Sequence, residues 1–174
     1  MIRKALISDL PEMLEIYNHA VLNLTATFDL EEQSLQERIT WFEKFGESYP
    51  LLVAELDGGV AGYCGLLPYK EKAAYAKTAE VSIYLSEDHR GKGIGTSLMK
   101  EILHRAFQLQ YHTVIAVITS GNIVSVKLHE KFGFELAGRF KEVGFKFGEW
   151  QDVSFYQLML PSKSKKSSND KKSY

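Results

Sequence analysis

The sequence predicts a single-domain α/β protein with a mixed sheet flanked by helices, in the element order β-α-α-β-β-β-α-β-α-β-β. Two observations lead to this class. Short apolar or alternating runs, typical of strands, are interspersed with apolar stripes at helical spacing. The 174 residues show no internal repeat or linker, and a chain of this length buries about 70% of the surface that its unfolded form exposes.

The N-terminal third predicts one strand and two helices. The strand is expected over 2–7, and the pattern over 9–12, with an acidic residue at each end and a proline between, predicts a helix start. A second capping-box pattern over 34–37 starts the next helix, which Gly46 is expected to end. Residues 23–29 form the predicted loop between the two helices.

Strands dominate from residue 50 to residue 85. Apolar runs over 50–56 and 60–67 flank the Asp-Gly-Gly sequence 57–59, which predicts a hairpin. A polar connection leads to a strand over 80–85. Its odd-numbered residues are aliphatic and alternate with the even-numbered residues, of which Glu80 is the first. We therefore expect Glu80 on the opposite face from the apolar set.

A glycine cluster over 89–96, with the sequence HRGKGIGT, follows that strand. It leads into a predicted helix whose apolar residues keep helical spacing from Ile94 to Leu109. The remaining predicted elements are a strand over 112–118, a helix over 123–132 ended by Gly133, and strands near 135–143 and 153–160.

Charge is distributed unevenly along the chain. The net charge is −1, but residues 161–174 hold five lysines and one aspartate, so residues 1–160 carry −5. A body of that sign is a poor binder of nucleic acid or of an anionic membrane. We expect the domain to span 1–160 and the Lys/Ser-rich tail over 161–174 to be disordered, with a basic anchor as the alternative.

The sequence also predicts a cytoplasmic protein without a metal site. Cys64 is the only cysteine, so no internal disulfide can form, and no Cys/His spacing typical of zinc occurs. The apolar stretch 5–7 is too short for a signal-peptide core, and polar residues interrupt the longest uncharged stretch, 106–126. We expect no membrane segment.

The alternating glycines Gly91, Gly93 and Gly95 predict an anion site. They let three backbone N–H groups turn toward one point, and the following helix adds free N–H groups and its positive dipole end. A diphosphate is the natural occupant, and Arg90 and Lys92 supply neutralising charge. The spacing fits neither the P-loop nor the dinucleotide fingerprint. Simple helix capping, the alternative, explains one glycine but not three.

Residues 90–95 (RGKGIG) resemble the pyrophosphate loop R/Q-x-x-G-x-G/A of the GNAT superfamily of N-acetyltransferases, and residues 122–134 resemble that family's last helix and its L-G-F signature. The resemblance covers 2–160. It implies a twisted, mostly antiparallel sheet, a homodimer, and acetyl transfer from acetyl-CoA to a primary amine. The motifs that resemble the phosphinothricin acetyltransferase branch are TATFD (25–29), YPLLVAE (49–55), AY (74–75), TAE (78–80), LHE (128–130), VGFK (143–146) and WQDV (150–153).

The resemblance also implies where acetyl-CoA binds. Its pantetheine arm is expected along the central strand, against the backbone of Ile83, Tyr84 and Leu85, and an amide near Leu85 is expected to stabilise the oxyanion. The other cofactor contacts that the resemblance implies are Arg90, Gly91, Lys92, Gly93, Ile94, Gly95, Thr96, Asn122 and Ser125.

Two residues are catalytic candidates. By its match to the T-x-E motif, Glu80 is the expected general base that deprotonates the amine; the alternative is an ordinary strand carboxylate. His129 stands where many GNAT members carry a tyrosine that protonates the leaving thiolate, so an acid, a second base or a buried structural histidine are all open. Cys64 could act as a nucleophile, but a packed small residue and direct attack by the amine are the preferred interpretation.

The acceptor side follows from the same branch. Phe28 and Tyr75 are expected to wall the substrate, Lys72 replaces the arginine of R-x-A-Y, and Lys146 matches the branch lysine. The implied acceptor is an amino-acid-like amine such as phosphinothricin, methionine sulfone or methionine sulfoximine, with a role in herbicide or antibiotic resistance. The alternatives are a non-catalytic acyl-CoA-binding module and acetylation of protein N-termini or polyamines.

Overall fold

A computed structural model describes residues 1–162, so the predicted tail lies almost wholly outside the described residues. Seven strands form one sheet in the order β1-β2-β3-β4-β5-β7-β6. The strands are β1 (Ile2–Lys4), β2 (Leu51–Leu56), β3 (Gly59–Pro68), β4 (Thr78–Leu85), β5 (Thr113–Thr119), β6 (Glu135–Lys146) and β7 (Glu149–Met159). The α-helices are α1 (Leu10–Asn23), α2 (Leu35–Phe42), α3 (Ile94–Gln108) and α4 (Ile123–Lys131).

The sheet is mixed and mostly antiparallel, which confirms the predicted fold class. Only β4 and β5, among the paired strands of residues 1–162, run parallel. Their pairing covers Thr78–Val81 of β4 and ends there, although β4 continues to Leu85 and β5 to Thr119. The two strands therefore diverge and open a cleft in the middle of the sheet.

Helices cover both faces of the sheet. On one face, α3 packs against β2, β3 and β4, and α4 adds apolar side chains to the same core, which includes Leu52, Cys64 and Leu98. On the other face, α1 contributes Leu10 and Met13 to a second core, against which side chains of α2 also pack. Burial on both faces holds the sheet between two helical layers.

The predicted helix start is confirmed, because α1 begins at Leu10 directly after Asp9, but the predicted end of the first strand and the predicted capping bonds were wrong. β1 ends at Lys4, and a short 3-10 helix occupies Ile7–Asp9. The Asp9 carboxylate does not cap α1 but accepts from the Leu6 amide at 2.7 Å and pairs with Arg3 at 2.7 Å. Glu12 accepts from the Val60 amide at 2.6 Å instead of closing a capping box. Partners from other elements thus replaced the predicted local bonds.

The second capping box is confirmed. The Glu37 amide donates to the Ser34 hydroxyl at 3.3 Å, and the Ser34 amide donates to the Glu37 carboxylate at 2.7 Å. The expected end at Gly46 was wrong, since α2 ends at Phe42. The predicted hairpin is confirmed, with Asp57 and Gly58 both at positive φ between β2 and β3.

The last hairpin is longer than the sequence predicted. β6 extends to Lys146 and β7 begins at Glu149, so the turn lies at Phe147 and Gly148, both with positive φ. Strand bulges interrupt the β6–β7 register, which hides the alternation on which strand prediction depends. No helix within residues 1–162 is long and apolar enough to cross a bilayer.

Candidate active site

The divergence of β4 and β5 creates two adjacent cavities. The first, of about 260 Å³, is lined by Phe28, Glu80 and His129 together with the facing ends of β4 and β5; we call it the Glu80 cavity. The second, of about 340 Å³, is lined by Arg90, Leu85 and residues of α1 and α4; we call it the Arg90 cavity. The residues that line both are Ala26, Ile83, Tyr84, Asn122 and Ser125.

An unpaired backbone edge runs along β4 where it passes these cavities. β3 pairs with the other edge of β4 as far as Leu85, but the β5 side has no strand partner after Val81. Backbone N–H and C=O groups on that side from Ser82 to Leu85 can therefore bind an extended chain as a strand would. This edge fits the amide-containing pantetheine arm of acetyl-CoA.

The glycine loop provides two kinds of position. Gly91 and Gly93 have φ values of +75° and +79°, and a Cβ added to either would meet nothing within 4 Å. Both therefore serve the backbone conformation before α3, whose first N–H groups have no partner inside the helix. Gly95 instead allows close packing, because its Cβ would lie 3.2 Å from Leu85 and 3.3 Å from Leu128.

The cavities separate the predicted cofactor residues into two groups. Ile83, Tyr84 and Leu85 of β4 line the Arg90 cavity, as does Arg90 itself. Asn122 and Ser125 line both cavities, and the Asn122 side chain caps α4 by accepting from the Ser125 amide at 3.2 Å. The residues that line neither cavity and lie at the start of α3 are Gly91, Lys92, Gly93, Ile94, Gly95 and Thr96.

Glu80 is placed as a proton acceptor would be. Its carboxyl group lies half-buried on β4 and lines the Glu80 cavity. Burial raises the pKa of the Glu80 carboxyl above its usual value. A carboxylate with a raised pKa is a stronger base than one in water, which suits general-base catalysis near neutral pH.

His129 is buried in α4, with 2% of its surface exposed, and lines the same cavity. Its Nδ1 atom lies 2.7 Å from the Ser125 carbonyl oxygen, and because a carbonyl only accepts, Nδ1 carries a proton. Burial lowers the pKa of His129. The ring is therefore neutral near pH 7 with Nε2 free to accept a proton, which favours a base over an acid.

The predicted acceptor residues are not brought together. Phe28 lines the Glu80 cavity, but Lys72 and Tyr75 lie in a separate depression with Lys70 and Glu71. The 3-10 helix Ala73–Tyr75, in the connection before β4, holds them there, and the Tyr75 ring packs edge-on against Tyr69. Within residues 1–162 of one chain, Lys72 and Tyr75 do not wall the cavity that holds Glu80.

The structure gives the ammonium group of Lys146, a predicted substrate-binding residue, hydrogen-bond partners within the chain. The side chain is buried, with 3% exposed, and its ammonium group donates to the carbonyl oxygens of Leu24 and Thr27, both at 2.8 Å. Burial lowers the pKa of Lys146, an effect that the negative charge of Asp29 opposes. The ammonium is thus used to hold the loop that carries Phe28.

Sequence reasoning missed the contribution of β5. Thr119 lines the Glu80 cavity and donates from its hydroxyl to the Thr25 carbonyl at 2.6 Å, and Val117 and Ile118 line the same cavity. No motif marks these residues, because they reach the cavity only through the divergence of β4 and β5. The Tyr84 hydroxyl donates to the Ala26 carbonyl at 3.4 Å, so β4 also contacts this loop.

Cys64 is poorly placed to act as a nucleophile. Its thiol is fully buried in the core under α3, and burial raises the pKa of the thiol well above its usual value. Among the described residues, no group of three or more His, Cys, Asp or Glu side chains is placed to hold a metal ion.

Comparison with known proteins extends the likeness over most of the chain. Residues 2–155 match the family model described as an acetyltransferase (GNAT) domain. The L-methionine sulfoximine/L-methionine sulfone acetyltransferase of Pseudomonas aeruginosa is 40% identical over 94% of this chain and 96% of its own length. The phosphinothricin N-acetyltransferase of Streptomyces viridochromogenes is 37% identical over 90% of this chain and 85% of its own.

A solved structure shows the same fold. The GNAT superfamily phosphinothricin acetyltransferase of Sinorhizobium meliloti, determined in complex with acetyl-CoA, is 40% identical to this chain with a TM-score of 0.89. The match covers 92% of this chain and 88% of that protein.

Proposed function

Because this chain belongs to the GNAT acetyltransferase family, we propose that it transfers the acetyl group of acetyl-CoA to the α-amine of a small amino-acid-like acceptor. The observation that carries this proposal is the cleft, which places Glu80 beside the free edge of β4. The activities named for the relatives support methionine sulfoximine, methionine sulfone or phosphinothricin as the acceptor type.

The free edge of β4 and the loop before α3 form the proposed seat for acetyl-CoA. Backbone groups of Ile83, Tyr84 and Leu85 bind the pantetheine arm, since this edge has no strand partner. Arg90 and the N-terminal amides of α3 face the diphosphate, where the helix dipole favours negative charge. Gly93, at φ +79°, gives the loop the backbone conformation that leads into α3.

Bound acetyl-CoA supplies an activated thioester, and the side chains of the Glu80 cavity handle protons. The acceptor enters as an ammonium ion, which has no lone pair for attack, so the Glu80 carboxylate first takes one proton from it. A β4 amide near Leu85 stabilises the negative charge that develops on the carbonyl oxygen. The neutral amine can then attack the thioester carbonyl carbon, forming the C–N bond, while His129 Nε2 is available to accept the second amine proton. Cleavage of the C–S bond would release the CoA thiolate, which can take up that proton.

We further propose that the protein acts as a homodimer in the cytoplasm. It can confer resistance to inhibitors that resemble its amino-acid-like acceptors. The β6–β7 hairpin exposes Phe140, Phe145, Phe147 and Trp150, each by more than half of its surface. Exposed aromatic side chains concentrated on one hairpin are typical of a surface that another protein covers. A cytoplasmic location would give the enzyme access to acetyl-CoA.

Purified protein with acetyl-CoA and a panel of amines tests the proposal. The panel holds L-methionine sulfone, L-methionine sulfoximine, phosphinothricin, a polyamine and a peptide with a free N-terminus. We expect thiol release and acetylated product with the first three. Turnover of only the polyamine or the peptide would overturn the acceptor class, and binding of acetyl-CoA without any product would make the protein a binding module.

A further inference from the structure

The loop that carries Phe28 has no regular secondary structure, yet donors from several elements hold it. Residues 24–29, which we call the Phe28 loop, supply Ala26, Thr27 and Phe28 to the wall of the Glu80 cavity. The donors come from α1, β4, β5 and β6. They are the Tyr17 hydroxyl to Asp29 at 2.6 Å, the Tyr84 hydroxyl to Ala26, the Thr119 hydroxyl to Thr25, and the Lys146 ammonium to Leu24 and Thr27.

Lys146 joins two parts of this loop through one buried group. Its ammonium bonds the carbonyl oxygens of Leu24 and Thr27, three residues apart, so the chain between them is bent around a common point. Hydrogen bonds from a charged donor are stronger than neutral ones, particularly where water is excluded. These two hydrogen bonds, which we call the clasp, therefore restrain the segment immediately before Phe28.

Gly144, two residues earlier on β6, sets the position of the Phe28 ring. A Cβ on Gly144 would lie 2.3 Å from one ring carbon of Phe28 and 2.8 Å from two others. The ring rests directly on the β6 backbone, and no residue with a side chain fits at position 144 without moving it. An added methyl group would drive the ring away from β6, changing the shape of the Glu80 cavity.

We propose that Gly144 and Lys146 are positioning residues that determine acceptor specificity by fixing Phe28, without touching the acceptor. Lys146 clasps the Phe28 loop and Gly144 seats the aromatic ring, so the β6 backbone defines one wall of the Glu80 cavity. This inference rests on the proposed function, since it assigns the acceptor to that cavity. Neither Gly144 nor Lys146 lines the Arg90 cavity, and Phe28 does not line it either.

A double-mutant cycle of Gly144→Ala and Phe28→Ala is the direct test. Gly144→Ala is expected to raise the acceptor KM about tenfold or more, with a larger effect for acceptors with longer side chains, and to leave the acetyl-CoA KM unchanged. Removing the ring removes the clash, so the double variant should match Phe28→Ala alone. Additive effects of the two substitutions on the acceptor KM would overturn the proposal that Gly144 acts through the Phe28 ring.

Lys146→Met tests the clasp, with the exposed Lys44→Met as the matched control. Loss of the Lys146 bonds predicts a raised acceptor KM and faster amide hydrogen exchange confined to the Phe28 loop. Unaltered acceptor KM in Lys146→Met, or the same change in the control, would overturn it. If Lys146→Met does not fold, the cycle at Gly144 and Phe28 decides the inference.

Failure of this inference is distinguishable from failure of the proposed function. Wild-type protein that acetylates no amino-acid-like member of the panel refutes the proposed function. An active wild type whose acceptor KM is indifferent to Gly144→Ala refutes the positioning role of β6 and leaves the activity intact.

Discussion

Replacing Glu80 by Gln removes the carboxylate that we assign as general base and keeps the shape of the side chain. General-base catalysis contributes about 100- to 10,000-fold to rate, or ~2.7 to ~5.4 kcal/mol of barrier. We expect a loss of turnover in that range. Because the Gln variant depends on amine that is already deprotonated in water, its rate should rise with pH in proportion to the free amine.

The direction of the Glu80 pKa shift adds a pH signature. Burial raises the pKa of the folded Glu80 carboxyl above the value of 4.5 expected for an unperturbed Glu. As the pH is lowered, protonation of this base should therefore begin to reduce wild-type kcat/KM while the pH is still above 4.5. The same shift means that ionised Glu80 destabilises the fold at higher pH. Glu80→Gln should therefore be at least as stable as wild type at pH 7, and the difference should shrink as pH falls toward 4.5.

Three measurements decide the assignment of Glu80. Thiol release and product formation give the rates across pH, thermal unfolding gives the stability, and a thermal shift with acetyl-CoA shows that the cofactor seat is intact. Turnover equal to that of wild type, or an acidic limb that persists in the Gln variant, would refute Glu80 as the base. Loss of the acetyl-CoA shift would place the damage in the cofactor seat instead.

Three further outcomes are expected. Gly93→Val should abolish the thermal shift with acetyl-CoA, because a β-branched residue at φ +79° is strained by about 1–3 kcal/mol, and a preserved shift would contradict the loop assignment. Cys64 should resist thiol reagents until the protein unfolds; rapid alkylation of the native state would contradict its burial. Ser34→Ala should cost about 1 kcal/mol and lower Tm by about 2–4 °C, whereas Ser34→Thr should retain most of the cap.

Elements with local signals were predicted well. The capping box at Ser34, the turn at Asp57 and Gly58, and the glycine loop before α3 were predicted from the sequence, because each bond or dihedral involves residues close in the chain. The pattern over 9–12 predicted the start of α1 correctly, but its capping bonds do not form, since Asp9 and Glu12 bond Arg3 and the Val60 amide instead. Such distant partners leave no local pattern.

The same distinction holds at the active site. Glu80, His129 and Phe28 were singled out by motif resemblance, and the structure brings all three to one cavity. Lys146 belongs to an equally recognisable motif, yet its ammonium is turned to the carbonyls of the Phe28 loop. A motif therefore identified the residue without identifying what the side chain contacts.

The sequence by itself determined the order of the elements and the family, and it predicted an anion site in the loop from Arg90 to Thr96. These properties depend on residue types and spacings along the chain. Only the tertiary structure decided that β4 and β5 separate after Val81, that Lys72 and Tyr75 lie outside the Glu80 cavity, and that β6 seats Phe28. The physical reason is that strand pairing and burial join residues far apart in sequence, and their geometry is set by the packing of the whole domain.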